Sequence, residues 1–148
     1  MSAYLQELTI RLAAAMGNVP GEIRQNHANW VWSKQQGDGG WGGREGTSDP
    51  YYTSFALRTL AITGELYGER AEQAAAFLRS RLDKQETVVD LAALIYAASM
   101  LENAAGVDVF DAAGRMWKDS VAAFFETLRR EDGGYAKSAT SNVGSTYN

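Results

Sequence analysis

The chain has 148 residues, of which 45% are hydrophobic and 22% are charged, and this composition predicts one globular domain. It has no cysteine, which excludes a disulfide framework, thiolate catalysis and a cysteine-rich zinc cluster. A net charge of −4 without a basic run predicts no nucleic-acid partner. The first ten residues lack a signal-peptide pattern and we find no run of about 18 apolar residues, so we expect no transmembrane segment and a cytoplasmic location.

Helical periodicity dominates the first part of the chain, and strand signals are almost absent. The first predicted helix ends at Gly17 and carries an apolar stripe formed by Leu5, Leu8, Leu12 and Ala15. Pro20-Gly21 then turns the chain into a second helix, which includes His27, the single histidine. A loop follows from Gly37 to Asp49 and holds six of the 15 glycines.

The third and fourth helices have clear boundary residues. Asp49-Pro50 is typical of a helix start, because the Asp side chain accepts from free amides and Pro lacks an amide that would have no partner. The third helix is predicted from about Tyr51 to Thr63 and ends at Gly64. The fourth, Gly68–Leu82, has alanines and leucines on one side and charges on the others, which predicts a position on the outside.

The fifth and sixth helices differ in polarity. Between Val88 and Leu101 only Asp90 and Ser99 are not apolar, so we expect this helix to be surrounded by protein or to face an apolar cavity. Thr87 is its expected N-cap. The sixth helix, from about Val109 to Arg130, is amphipathic.

A glycine motif occurs twice, as Asp38-Gly39-Gly40-Trp41 and, 94 residues later, as Asp132-Gly133-Gly134-Tyr135. The offset is two periods of 47, and Leu78–Glu86 fits between the two as a shortened copy. Two helices per period predict stacked helical hairpins, because one hairpin cannot bury its own apolar face. We expect one domain, 1–148, with repeats at about 3–50, 51–86 and 87–135, and with residues 136–148 starting a further repeat.

Two segments, Gln35–Arg44 and Asp49–Leu57, together resemble the prenyltransferase/squalene-cyclase repeat of terpenoid cyclases and of the β subunits of protein prenyltransferases. The shared pattern is Gln-x-x-Asp-Gly-Gly-Trp/Tyr before an aromatic-rich helix; it covers Trp30–Leu66 and, less closely, Phe125–Tyr147. The resemblance implies an all-α fold of the α/α toroid type, with alternating inner and outer helices. About three repeats would form half of such a ring.

The resemblance also implies a zinc cofactor, but this chain lacks the ligands. In the β subunits, Asp, Cys and His at the starts of two inner helices hold zinc. Asp49 matches the acid, but Tyr51 stands where one alignment expects Cys and Tyr52 where the other expects His. His27 belongs to a different helix. We therefore expect no cofactor and regard Asp49 first as an N-cap.

The acids used by cyclases are also missing. The Asp-x-Asp-Asp string of class II cyclases does not occur, and neither does an aspartate-rich magnesium motif. The nearest approach, Asp108-Val109-Phe110-Asp111, has the spacing of an N-cap and an acid in the first helical turn. Catalytic residues are therefore unassigned in this chain.

The remaining candidates would bind an isoprenoid or prenyl diphosphate. Arg44 follows the double glycine, as does a diphosphate-binding arginine in the β subunits, although the companion lysine has no match in this shorter loop. Aromatic side chains would line the apolar pocket, and ordinary core packing is their alternative role. The candidate substrate-binding residues are Arg44, Asp49, Tyr51, Tyr52, Phe55 and Tyr96.

Three functions stay open at this point. The first is that the chain is half of a prenyltransferase-like or cyclase-like enzyme whose reactive residues lie elsewhere. The second is a non-catalytic module that binds an apolar group. The third is a structural array. A half ring exposes the apolar flank of its last inner helix, so we expect self-association, first as a two-fold dimer, or a partner chain that completes the ring.

Overall fold

The computed structural model describes residues 2–82, 84, 87–111, 117–138, 140, 141 and 144. Within these residues the chain forms six α-helices and no β-strand, which confirms the all-α prediction. The helices are α1 (Ser2–Met16), α2 (Gly21–Trp32), α3 (Pro50–Thr63), α4 (Glu69–Arg79), α5 (Val88–Ala105) and α6 (Trp117–Leu128). A toroid is not shown by this arrangement and stays a proposal. The predicted link at 83–86 and the end of the predicted further repeat lie largely outside the described residues.

The predicted N-caps of α3 and α5 are confirmed. The Oδ1 atom of Asp49 accepts a hydrogen bond of 2.8 Å from the amide of Tyr52. The Oγ1 atom of Thr87 accepts one of 3.1 Å from the amide of Asp90. Gly64 ends α3 at φ +76°, in the left-handed region that glycine adopts without a Cβ penalty. Side chains within three residues of each helix start therefore determine where these helices begin.

The predicted N-cap at Asp108 has the expected hydrogen bonds. The Oδ1 atom of Asp108 accepts from the amides of Phe110 and Asp111, at 2.7 Å and 3.1 Å. An N-cap side chain accepts from these amides, the second and third that follow it. Residues 112–116 lie outside the described residues, and α6 is described from Trp117 onward.

The centre of the fold is the packing of α3 along α5, which is the most extensive contact between any two helices described. Leu57 and Leu60 of α3 and Leu94 and Leu101 of α5 are fully buried there. The helices α1 and α2 pack against α3, and α4 packs against α5. The predicted apolar side of α4 is buried at Ala71, Ala74, Ala75 and Leu78.

The helix α5 corrects the expectation that the chain has no segment apolar and long enough to cross a membrane. Its 18 residues have a mean hydropathy of 1.4, so a segment long and apolar enough to cross a membrane does occur, and it is the one such helix among the described residues. Length and composition alone support this statement, and a core helix of a folded domain meets the same criteria. Within the fold, 39% of the helix is buried, mainly against α3.

The first Asp-Gly-Gly motif forms a turn that we call the first corner, Gln36–Trp41. The Oδ1 atom of Asp38 accepts from the amide of Gly40 at 3.0 Å. The amide of Gly39 donates to the carbonyl of Gln36 at 2.9 Å, and the amide of Gln36 donates to the carbonyl of Gly40 at 2.8 Å. Gly39 has φ +90°, so glycine is needed for this turn.

The second corner, Arg130–Tyr135, has the same three hydrogen bonds 94 residues later. The Oδ1 atom of Asp132 accepts from the amide of Gly134 at 2.9 Å. The amides of Gly133 and Arg130 donate to the carbonyls of Arg130 and Gly134, each at 2.9 Å. Gly133 has φ +80°. The two corners therefore have the same local structure.

The first corner also packs against α4. A Cβ on Gly39 would overlap the carbonyl oxygen of Gln73, and one on Gly40 would lie 2.9 Å from the ring of Phe77. Trp41 is 4% exposed, and its Nε1 donates to the carbonyl of Val31 in α2 at 2.9 Å. Backbone contact with α4 is possible only because these positions have no side chain.

We predict a graded loss of stability for alanine at three glycines. At Gly133, where a Cβ meets open space, strain at positive φ costs about 1 to 2 kcal/mol. At Gly39 the cost is larger, because the Cβ also displaces the corner from α4. The control is Gly37→Ala, which has neither positive φ nor a close neighbour. Chemical denaturation measures the three free energies of unfolding, and equal losses for Gly39→Ala and Gly133→Ala would contradict the packing of this corner.

Candidate ligand-binding site on helix α3

Three of the candidate residues form one aromatic surface at the start of α3. The ring of Tyr51 packs edge-on against Tyr52 at 5.5 Å and against Phe55 at 4.9 Å between centroids. The three side chains are 42%, 46% and 49% exposed, in chain order. Edge-to-face pairs are favourable because a ring edge is positive and a ring face negative. This aromatic surface is therefore ordered by its own contacts while half of it stays open to solvent.

Arg44 lies on the loop beside the aromatic surface. The ring of Tyr52 rests on Gly43, where a Cβ would lie 2.9 Å from it. Arg44 is the next residue and is exposed. The loop is closed by a bridge between Gly42 and Ser48. Arg44 is therefore an exposed cationic residue on the loop that supports the aromatic surface.

The side chain of Asp49 is engaged as the N-cap of α3. Its Oδ1 atom caps α3 through the amide of Tyr52, and the residue is only partly exposed. The phenols of Tyr51 and Tyr52 are not the nitrogen or sulfur donors that zinc sites use. His27 is exposed on α2, and the described part of the chain has no group of three or more His, Cys, Asp or Glu residues that could hold a metal ion. These residues do not fit the zinc site that the resemblance implies.

Tyr96 has a different environment from the other candidates. It lies half-buried on α5, and its hydroxyl shares a hydrogen bond of 2.8 Å with the Oγ1 atom of Thr9 in α1. Thr9 is buried at this contact. The side chain of Tyr96 therefore joins α1 to α5, and its hydroxyl is already satisfied.

Arg58 was not selected from the sequence. It follows Phe55 by three residues and Tyr51 by seven, so the three lie on one side of α3. Its Nε atom is buried and has no hydrogen-bond partner within the described chain. The helical spacing was visible in the sequence, but the missing partner depends on the fold. Arg58 therefore adds an unpaired guanidinium nitrogen to the side of α3 that carries the aromatic surface.

The structure also has a cleft with a polar lining, apart from the aromatic surface. This open cleft of about 590 Å³ lies between α2 and the end of α3 and is lined by Gly21, Glu22, Arg24, Gln25, Asn26 and Glu65. The Glu65 carboxylate accepts from the Tyr67 hydroxyl at 2.8 Å, and this hydrogen bond and the negative charge raise the pKa of Tyr67. The polar lining does not suit an isoprenoid chain.

Comparison with known proteins gave no match among family models, curated proteins or solved structures. The resemblance of the two glycine motifs to the prenyltransferase/squalene-cyclase repeat therefore rests on the residues themselves.

We predict that Asp49→Ala lowers the free energy of unfolding by about 1 kcal/mol, because it removes the acceptor for a free amide of α3. Asp49→Asn keeps an acceptor at the same place and is the matched control, with a much smaller loss. Urea denaturation of the three proteins measures the effect. An equal loss for both variants would show that the charge of Asp49, and not its N-cap bond, is what stabilises the chain.

Proposed function

We propose that this chain is part of a prenyltransferase-like or terpene-cyclase-like repeat protein that binds a prenyl diphosphate, with the apolar chain on the aromatic surface of α3. The observation that carries the proposal is that Tyr51, Tyr52 and Phe55 are mutually packed yet each more than 40% exposed. Aromatic side chains each remove a large apolar area from water when they are covered. A ligand that covers this surface therefore gains affinity without first ordering the side chains.

The charges beside the aromatic surface support an anionic head group. Arg44 is exposed on the adjoining loop, and the buried Nε of Arg58 has no hydrogen-bond partner in the part of the chain that the structure describes. A guanidinium pairs with phosphate oxygens through two parallel hydrogen bonds, and this geometry suits a diphosphate. An apolar surface with one arginine on the adjoining loop and another on the same side of α3 matches the two chemical parts of a prenyl diphosphate.

The second candidate is a non-catalytic helical-repeat module for binding or for structure. Two observations favour it: the hydroxyl of Tyr96 is engaged by Thr9, and the capping bond of Asp49 occupies an oxygen that a catalytic acid would use. Under this alternative the aromatic surface still holds an apolar group, but no bond is made or broken. Mass spectrometry of a prenyl diphosphate after incubation with the protein separates the two candidates.

We predict that farnesyl or geranylgeranyl diphosphate stabilises the protein. At a free ligand concentration of about 100 times Kd the gain is about 2.7 kcal/mol, which raises Tm by about 5 to 10 °C. Arg44→Ala and Phe55→Ala each reduce this rise, because they remove a phosphate contact and part of the apolar surface. The readout is differential scanning calorimetry below the critical micelle concentration of the ligand.

The control for this experiment is Arg11→Ala, which removes an exposed arginine on α1 that pairs with Glu7. It leaves the shift unchanged if binding is at α3. Inorganic diphosphate and farnesol, tested separately, measure the contributions of the head group and the apolar chain. Absence of a shift with every polyprenyl diphosphate would reject the proposal.

A further inference from the structure

The C-terminal ends of three helices repeat one hydrogen bond at intervals of 47 residues. The hydroxyls of Ser33, Ser80 and Thr127 each donate to the carbonyl three residues earlier, at 2.7, 2.7 and 2.6 Å. Each accepting carbonyl belongs to an aromatic residue, and these residues are Trp30, Phe77 and Phe124. Equivalent positions in α2, α4 and α6 therefore carry an aromatic ring.

The helices α2 and α4 also share the cation beside that ring. The ammonium of Lys34 lies 5.6 Å from the centroid of Trp30, and the guanidinium of Arg81 lies 5.0 Å from the centroid of Phe77. Cations are attracted to the negative face of an aromatic ring. The end of α2 therefore presents the same ring and the same charge as the end of α4.

Only one of these two rings is covered. Phe77 is 2% exposed because the first corner packs on it through Gly40. Trp30 is 65% exposed. Apart from the contact with Lys34, this indole is a large apolar area that stays open to water.

The second corner is only partly covered by the described residues, with Tyr135 packed edge-on against Phe125 at 6.1 Å between centroids. Gly134 corresponds to Gly40, but a Cβ there would meet only Asp132 and Gly144 within the described residues, and no helix. Tyr135 is 39% exposed, whereas the corresponding Trp41 is 4% exposed. Among the residues that the structure describes, no helix covers the second corner and no corner covers the end of α2.

We propose that the second corner of one copy of this chain binds the end of α2 in another copy, with Trp30 against Gly134 as Phe77 lies against Gly40. The charges match as well, because Lys34 carries positive charge at the end of α2 while Glu131 and Asp132 are exposed on the second corner. Two different surfaces meet, so the association is head-to-tail and builds a closed ring or an open chain of subunits. It replaces the two-fold dimer as the expected arrangement and does not depend on the ligand proposed for α3.

Cross-linking tests the pairing directly, because the chain has no cysteine of its own. An Asn29→Cys chain and a Glu131→Cys chain carry the thiol on an exposed residue beside the contact and keep both Trp30 and Gly134. The two chains are mixed and treated with a short bis-maleimide, and each is also treated alone. We expect the cross-linked heterodimer to exceed either homodimer several-fold. Homodimers at Asn29 would instead indicate a two-fold interface and would overturn the proposal, and so would the absence of any cross-linked dimer.

A second measurement compares association without cross-linking. Sedimentation velocity of the 148-residue chain is expected to show concentration-dependent oligomers, and Trp30→Ala raises the dissociation constant by about tenfold or more. Trp30 is exposed in the single chain, so its removal leaves the fold intact, which circular dichroism verifies.

The matched control is Tyr4→Ala, which removes another aromatic side chain that is 67% exposed. Tyr4 has the position in its repeat that Tyr51 has 47 residues later. Tyr51 stays exposed beside the first corner, so a side chain at this position does not take part in the corner contact. We therefore do not expect Tyr4 at the new interface. A monomer at every concentration, or equal weakening by both variants, would overturn the proposal.

Discussion

The close approach of the first corner to α4 is the constraint on which the rest of the described structure depends. Gly39 and Gly40 bring backbone directly against Gln73 and Phe77, and no other residue type leaves the space for this contact. The indole of Trp41 fills the volume behind them and donates to a carbonyl at the end of α2. Helix ends leave carbonyls without partners, so a buried donor at this place stabilises both the corner and the helix.

The first corner also positions the candidate site on α3. The amide of Trp41 donates to the hydroxyl of Thr53 at 3.0 Å, which connects the corner to the first turns of α3. The glycines that follow leave room for the ring of Tyr52, and this ring in turn supports Tyr51. The aromatic surface is thus supported by the loop that carries Arg44, although its rings are half exposed. A site that is ordered before ligand arrives has a smaller entropic cost of binding.

The contact between the first corner and α4 also has counterparts on the surface of the chain. Within the chain, the first corner packs against the aromatic end of α4. The second corner and the end of α2 carry the two halves of the same contact, and Tyr135 and Trp30 are exposed there. The feature that holds the helices together within the chain is therefore the same feature that we infer to hold two chains together.

The sequence alone determined the all-α class, most helix boundaries and the two glycine corners, because caps and turns depend on hydrogen bonds between residues a few positions apart. The bonds that Asp108 accepts from Phe110 and Asp111 follow the same local rule. Only the tertiary structure decided that Tyr96 bonds with Thr9, 87 residues away, that the Nε atom of Arg58 is buried without a hydrogen-bond partner among the described residues, and that Trp30 stays exposed. Burial and pairing over such distances depend on which helices pack together, and helical periodicity describes each helix by itself.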